Sequence, residues 1–151
     1  MKKQISVTLF ALGMMLALAV SASAQTTQRI GVNVPFDFVA GGKLMPAGHY
    51  TVRRLSFEDE KLLLIRSDDG RSNAIVLTDT ARGNQVPDSA ALTFRQYGDS
   101  YFLAAVSIPG AADVREVPQT KSERKHAHEV AERSKSNEAG EKTVTVSGSL
   151  E

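Results

Sequence analysis

The chain has no cysteine, and that absence removes more chemistry than any other feature of its composition. Disulfide staples, thiol nucleophiles, thiolate metal sites and iron–sulfur clusters are all excluded. Any fold must rest on its core alone. Charge of one sign is also missing: 18 basic residues stand against 17 acidic ones, a formal net charge of +1. So neutral a chain lacks the electrostatic footprint of a protein that binds nucleic acid or an anionic membrane. No nucleophile elbow, phosphate loop, H-E-x-x-H zinc motif or EF-hand calcium loop occurs. Gly41-Gly42-Lys43 lacks the spacing of a phosphate loop and reads as a turn. There is no internal repeat of the length that builds solenoids or propellers.

What is present begins with an export signature. Lys2 and Lys3 form a positive start, Ile5 to Val20 is apolar, and Ala22-Ser23-Ala24 is an A-x-A cleavage site. The apolar run is shorter than the ~20 residues of a membrane span. Cleavage before Gln25 is predicted, by the general secretory route because no Arg-Arg pair precedes the run, and no cysteine follows it to carry lipid. Lys2 and Lys3 are the only charges in residues 1–24, so the mature chain would carry a net charge of −1. The expectation is a periplasmic or secreted protein with no stable membrane insertion once the signal is removed.

The remainder reads as one β domain over 25–118 and a charged tail over 119–151. Its organising stretch is Pro35 to Leu55. Phe36 and Phe38, then Tyr50 and Val52, are each spaced by two as a strand requires, around Gly41-Gly42 and Pro46-Ala47-Gly48. Ile30, Val32 and Val34 alternate with Arg29, Gly31 and Asn33 in a half-buried pattern. Lys61 to Thr78 is predicted to be a hairpin turning at Asp69-Gly70 in a type I′ loop, pairing Leu63 with Val76 and Leu62 with Leu77. Both of its faces are apolar, so both should be covered. Ala91 to Ile108 is predicted to turn at Gly98-Asp99 in a type II′ loop. Phe94 then faces Leu103, Leu92 faces Ala105 and Arg95 faces Phe102. The fold class is mostly β: a small antiparallel sandwich or open barrel with a charged, partly helical C-terminal tail.

In that tail Thr120 and Glu123 have capping-box spacing, so a helix is predicted to start there. Its apolar stripe of Ala127, Val130 and Ala131 is thin. The expectation is that 25–118 folds without it, with Thr143 to Val146 at most a frayed edge strand.

Candidate chemistry is sparse. His126 and His128 lie about 200° apart on a helix and cannot bind one ion from it. His126 with Glu129 would supply two ligands without a third. His49 faces away from Tyr50 and Val52, with Asp37 as a candidate partner across the arch. Solvated surface histidines explain the same residues without a site. The constellation with most chemistry is Arg53, Arg54, Arg66, Arg71 and Arg95, all on or beside predicted strands. Guanidinium forks match carboxylate and phosphate, so a shared face would make an anion, glycan or partner patch. The competing reading is that they solubilise outer faces.

Three segments carry a resemblance: Phe36-Asp-Phe38-Val-Ala-Gly41, Pro46-Ala-Gly48-His-Tyr50-Thr-Val52 and Tyr97-Gly98-Asp99-Ser-Tyr101-Phe102-Leu103. With these the stretch from Val34 to Ile108 resembles a group of small exported bacterial proteins sharing F-x-F-x-x-G…P-A-G-x-Y-x-V, a group that brings no known activity. The second segment is also similar to a turn-to-strand element of prealbumin-like β-sandwich modules. Together these features predict an exported, non-catalytic binding or structural protein of the cell envelope without a cofactor, its partner an envelope protein or glycan. A β-barrel carrier of a small apolar ligand is the first alternative and an enzyme of unknown class the second.

Overall fold

The computed structural model describes residues 29–56, 59–83, 85–133 and 142–150; the predicted export signal lies outside them. Among the described residues the protein is mostly β, with eleven strands in one nearly closed, barrel-like mixed sheet and one helix near the C-terminus. The strands are β1 (Ile30–Val34), β2 (Phe38–Ala40), β3 (Lys43–Met45), β4 (Gly48–Arg54), β5 (Leu62–Ser67), β6 (Asn73–Leu77), β7 (Asp79–Arg82), β8 (Ala90–Tyr97), β9 (Ser100–Ser107), β10 (Asp113–Glu116) and β11 (Lys142–Leu150). The helix, α1, is Lys121–Arg133. The main path across the sheet is β3-β2-β9-β8-β11-β1-β4-β5-β6, antiparallel except for β2 beside β9. Thr78, fully buried, bends the chain between β6 and β7, its amide and hydroxyl both donating to the Lys61 carbonyl at 2.8 Å. Past that bend β7 pairs with β10, and β10 with β9, which nearly completes the ring.

The inner face is set by the period of two. Ile30, Val32 and Val34, Tyr50 and Val52, Leu63 and Ile65, Ala74 and Val76, and Leu92 and Phe94 are all buried. An aromatic chain crosses this core. Tyr101 stacks on Phe36 at 3.9 Å between centroids, Phe36 meets Phe94 edge-on at 5.2 Å, and Phe38 contacts Phe94 and Tyr50 at 5.2 and 5.1 Å. The segment from Phe36 to Tyr50 therefore locks itself. Its phenylalanines fill the core, Asp37 accepts the Ala47 amide at 2.8 Å, and the Tyr50 hydroxyl donates to the Pro46 carbonyl.

Burial, followed by the nearby carboxylates of Asp69 and Asp37, raises the Tyr50 phenol above its ordinary 10.0. The unfolded chain then loses this proton first as pH climbs past 10.0. The folded state holds more protons there, so stability falls with rising pH and the contribution is complete only below that value. Tyr50→Phe is expected to flatten the alkaline loss of stability in denaturant titrations. A tyrosinate signal from Tyr50 at or below 10.0 would contradict this.

The hairpins correct the sequence in detail. Leu62 pairs with Leu77 and Leu63 with Val76, as expected. The turn is not type I′, because only Gly70 takes positive φ; Gly70 instead donates its amide to Ser67, and Ser67 to Ser72, in a wider loop. Gly98 alone has positive φ in the Gly98-Asp99 turn, consistent with type II′. Phe94 faces Leu103 and Arg95 faces Phe102, but Leu92 faces Val106 rather than Ala105. A bulge leaves Ala104 without a partner on β8, its carbonyl accepting the Val117 amide at 2.7 Å instead, and keeps both Leu103 and Val106 turned inward.

The largest correction is the C-terminal segment. Helix α1 starts where the capping box places it, with the Thr120 hydroxyl accepting the Glu123 amide at 3.1 Å. Residues 142–150 are not a frayed edge: β11 lies inside the sheet between β8 and β1. It pairs Val144 with Phe94, Val146 with Leu92 and Gly148 with both Ala90 and Val32. The sheet therefore does not end at 118 but takes in the last strand.

Candidate functional site

The outer face of β1, β4, β5 and β6 carries the most exposed chemistry. Register places Arg53 opposite Leu64, and Leu64 opposite Ile75. Ile30 is opposite Val52, so Arg29 follows next to Arg53 in the same row. The neighbouring row is Gly31, Thr51, Arg66 and Asn73. Arg29, Thr51, Arg53, Arg66, Ser67 and Asp68 line an open groove of about 440 Å3.

Among the described residues no carboxylate lies within ion-pair distance of Arg29, Arg53 or Arg66, because the nearby acids are otherwise engaged. Asp68 contacts His49 Nδ1 at 2.8 Å, and Glu60 bridges Arg54 and Arg115 at 3.3 Å each. Asp69 accepts the Ser67 hydroxyl at 2.6 Å and the Arg71 amide at 3.0 Å, which hold its carboxyl below the usual range.

Beside the arginines the face turns apolar. Leu62 and Leu64 are half-buried, while Ile75 and Leu77 are 51% and 56% exposed. The expectation that both faces of this hairpin are covered is not met: the inner face is core and the outer face is open.

The five predicted arginines thus separate. Arg53 and Arg66 come together, joined by Arg29, which the sequence reading placed on the strand's polar side without assigning it to the patch. Period two from Gly31 was the signal for it. Arg54 is tied to Glu60 at the barrel end, and Arg71 sits at the hairpin tip, 3.8 Å from Asp69.

Arg95 faces elsewhere. Its Nε donates to Glu123 at 2.7 Å and its fork reaches the Val117 carbonyl at 3.0 Å, with Glu123 only 3% exposed. This pair pins α1 to β8. Removing one member of a buried pair strands the other, so Arg95→Met is expected to cost about 3 kcal/mol. Arg95→Lys should restore little, since a single ammonium cannot reproduce the fork. Denaturant midpoints check both, and an unchanged midpoint for Arg95→Met would mean that the pair does not anchor the helix.

The histidines form no centre. His49 meets Asp68, not Asp37, whose carboxylate is held by Ala47. His126 lies 5.7 Å from the Phe102 ring, at one side of a groove of about 460 Å3 that includes Asp37, Asp99 and Tyr101. His128 reaches Glu132 at 3.7 Å. Among the described residues no three His, Asp or Glu side chains are placed to hold a metal ion.

Among the described residues the inner side chains pack closely. The space bounded by Ile30, Val52, Leu63 and Val106 holds about 20 Å3, room for one water, whereas ligand pockets begin near ~300 Å3. No described helix is long and apolar enough to cross a membrane. Comparison with protein-family models, with curated proteins and with solved structures gives no match for this chain.

Proposed function

We propose that this is an exported, non-catalytic binding protein of the cell envelope that works through the outer face of β4, β5 and β6. The observation that carries the reading is the exposed Ile75 and Leu77, continuous with Leu64 and with the guanidinium groups of Arg29, Arg53 and Arg66. Leaving large aliphatics on a sheet face in water is unfavourable by about 25 cal/mol per Å2, and a patch of this kind next to charge marks an interaction surface. Export is supported by the Lys2–Lys3 start, the apolar run and the A-x-A site, together with the resemblance to small exported bacterial proteins. The space of about 20 Å3 between Ile30, Val52, Leu63 and Val106 is too small for an apolar cargo, which favours a surface reading over a carrier. The segment from Phe36 to Tyr50 is occupied in holding the core and its own turn.

The absence of cysteine makes the test direct, because one introduced thiol is the only one to react. Ile75→Cys and Lys125→Cys, in chains starting at Gln25, are labelled with a maleimide in the presence and absence of an envelope fraction. Shielding of the sheet-face position with the helix position unchanged is the expected result. Equal labelling at position 75 with and without the fraction would sink the reading.

A further inference from the structure

Resting on that binding face, we infer that its occupant is an anionic lipid surface, met peripherally, with headgroup phosphates between Arg29, Arg53 and Arg66 and the apolar region of the lipid against Leu64, Ile75 and Leu77. The two halves of the face are contiguous. Arg29, Arg53, Leu64 and Ile75 follow one another across four neighbouring strands. At the usual strand spacing this row is roughly 15 Å long, from guanidinium to exposed aliphatic. A soluble anion would use only the groove, and an uncharged apolar partner only the hairpin. An anionic amphiphile uses both.

Charge complementarity follows from the pairing of the surroundings. Glu60 faces Arg54 and Arg115, and Asp79 faces Lys61, so among the described residues the groove sets three guanidinium groups against the single carboxylate of Asp68, which is itself turned to His49 Nδ1. The nearly zero net charge of the chain conceals this, because net charge is a sum and a membrane meets one face. Guanidinium also suits the role: it forms paired hydrogen bonds to phosphate and is less strongly hydrated than ammonium. Lys43, whose Nζ reaches the Asn73 carbonyl at 3.3 Å, adds a cation at the far side of Ile75.

Flotation with vesicles tests the assignment, using the chain from Gln25, which keeps every described element. Binding is expected to phosphatidylcholine vesicles that contain phosphatidylglycerol and not to phosphatidylcholine alone, and to weaken with salt. A basic residue near an anionic surface contributes about fivefold in affinity, so Arg53→Gln with Arg66→Gln should lose about 25-fold. Arg82→Gln with Lys125→Gln, which removes the same two charges from β7 and α1, should lose far less. Ile75→Ser with Leu77→Ser should weaken the binding that survives at high salt. These side chains point away from the core, so thermal melts should match the parent protein.

Inorganic phosphate competing for the groove as well as vesicles do would assign it to a soluble anion and overturn the lipid reading. No flotation, with position 75 still shielded by the envelope fraction, would overturn the lipid while the binding face stands. No flotation and no shielding would remove both.

Discussion

Deleting residues 142–151 is expected to abolish the native fold, leaving a chain that aggregates or elutes as an expanded species and melts without a cooperative transition. Strand β11 pairs with seven residues of β8 and three of β1. Its removal exposes both neighbours as long edges in the middle of the sheet. Each ladder hydrogen bond contributes ~1 kcal/mol net, so on the order of 10 kcal/mol is at stake before side chains are considered. That matches the whole stability of a typical domain, about 5–15 kcal/mol. Val144 and Val146 lie on the strand's inward side, and Val146 packs against the core, so apolar burial adds to the loss. Two opened edges with apolar neighbours also invite strand pairing between chains. Circular dichroism and size-exclusion chromatography of the truncated chain decide the matter. A monomer with the parent's melting temperature would show that β11 is dispensable.

The contrast with the sequence expectation has a physical origin. Between Thr143 and Leu150 the chain reads T-V-T-V-S-G-S-L, an alternation as regular as that of β1. The charged helix before it and a small-residue outer side made the segment resemble a tail. Local pattern shows that a strand can form, but not where it inserts. Insertion depends on β1 and β8 leaving a gap of one strand between them, a long-range fact.

The hairpin at Asp69-Gly70 shows the opposite case. Its register follows from a turn centred on Asp69-Gly70, and the wider loop keeps that centre, so it was legible despite a mistaken turn type. The Arg patch was half legible. Strand period sets Arg53 out of phase with Val52 and Arg66 out of phase with Ile65, but the sequence held no sign that Arg95 would be claimed by Glu123, 28 residues later. The bulge at Ala104 escaped for a similar reason: alternation across Leu103, Ala104, Ala105 and Val106 is ambiguous when two of the four are alanine.

Gly41→Ala is expected to spring the seam at which the barrel closes, at a cost of about 3–5 kcal/mol, while Gly42→Ala next to it costs about 1–2 kcal/mol. The two glycines form the β2–β3 turn and share the same backbone demand, with φ of +57° and +78°. Any L-residue there pays for the left-handed conformation, which is common to both substitutions. Their surroundings differ. A Cβ on Gly42 would meet nothing within 4 Å, whereas one on Gly41 would stand 2.4 Å from the carbonyl oxygen of Ile75 in β6. That atom is backbone, held in a strand already paired to β5, and cannot swing aside as a flexible side chain would. Either the turn or β6 must move outward, and the turn carries Phe38 and Met45, which are fully buried. The difference between the two variants therefore isolates the seam contact from the conformational cost. Thermal melts give the magnitude, and hydrogen exchange gives the place: Gly41→Ala should release amides of β2, β3 and β6 before those of β8 and β9. Equal melting temperatures for the two variants would mean that β6 does not rest on the β2–β3 turn in solution, and the barrel would then be open along that side.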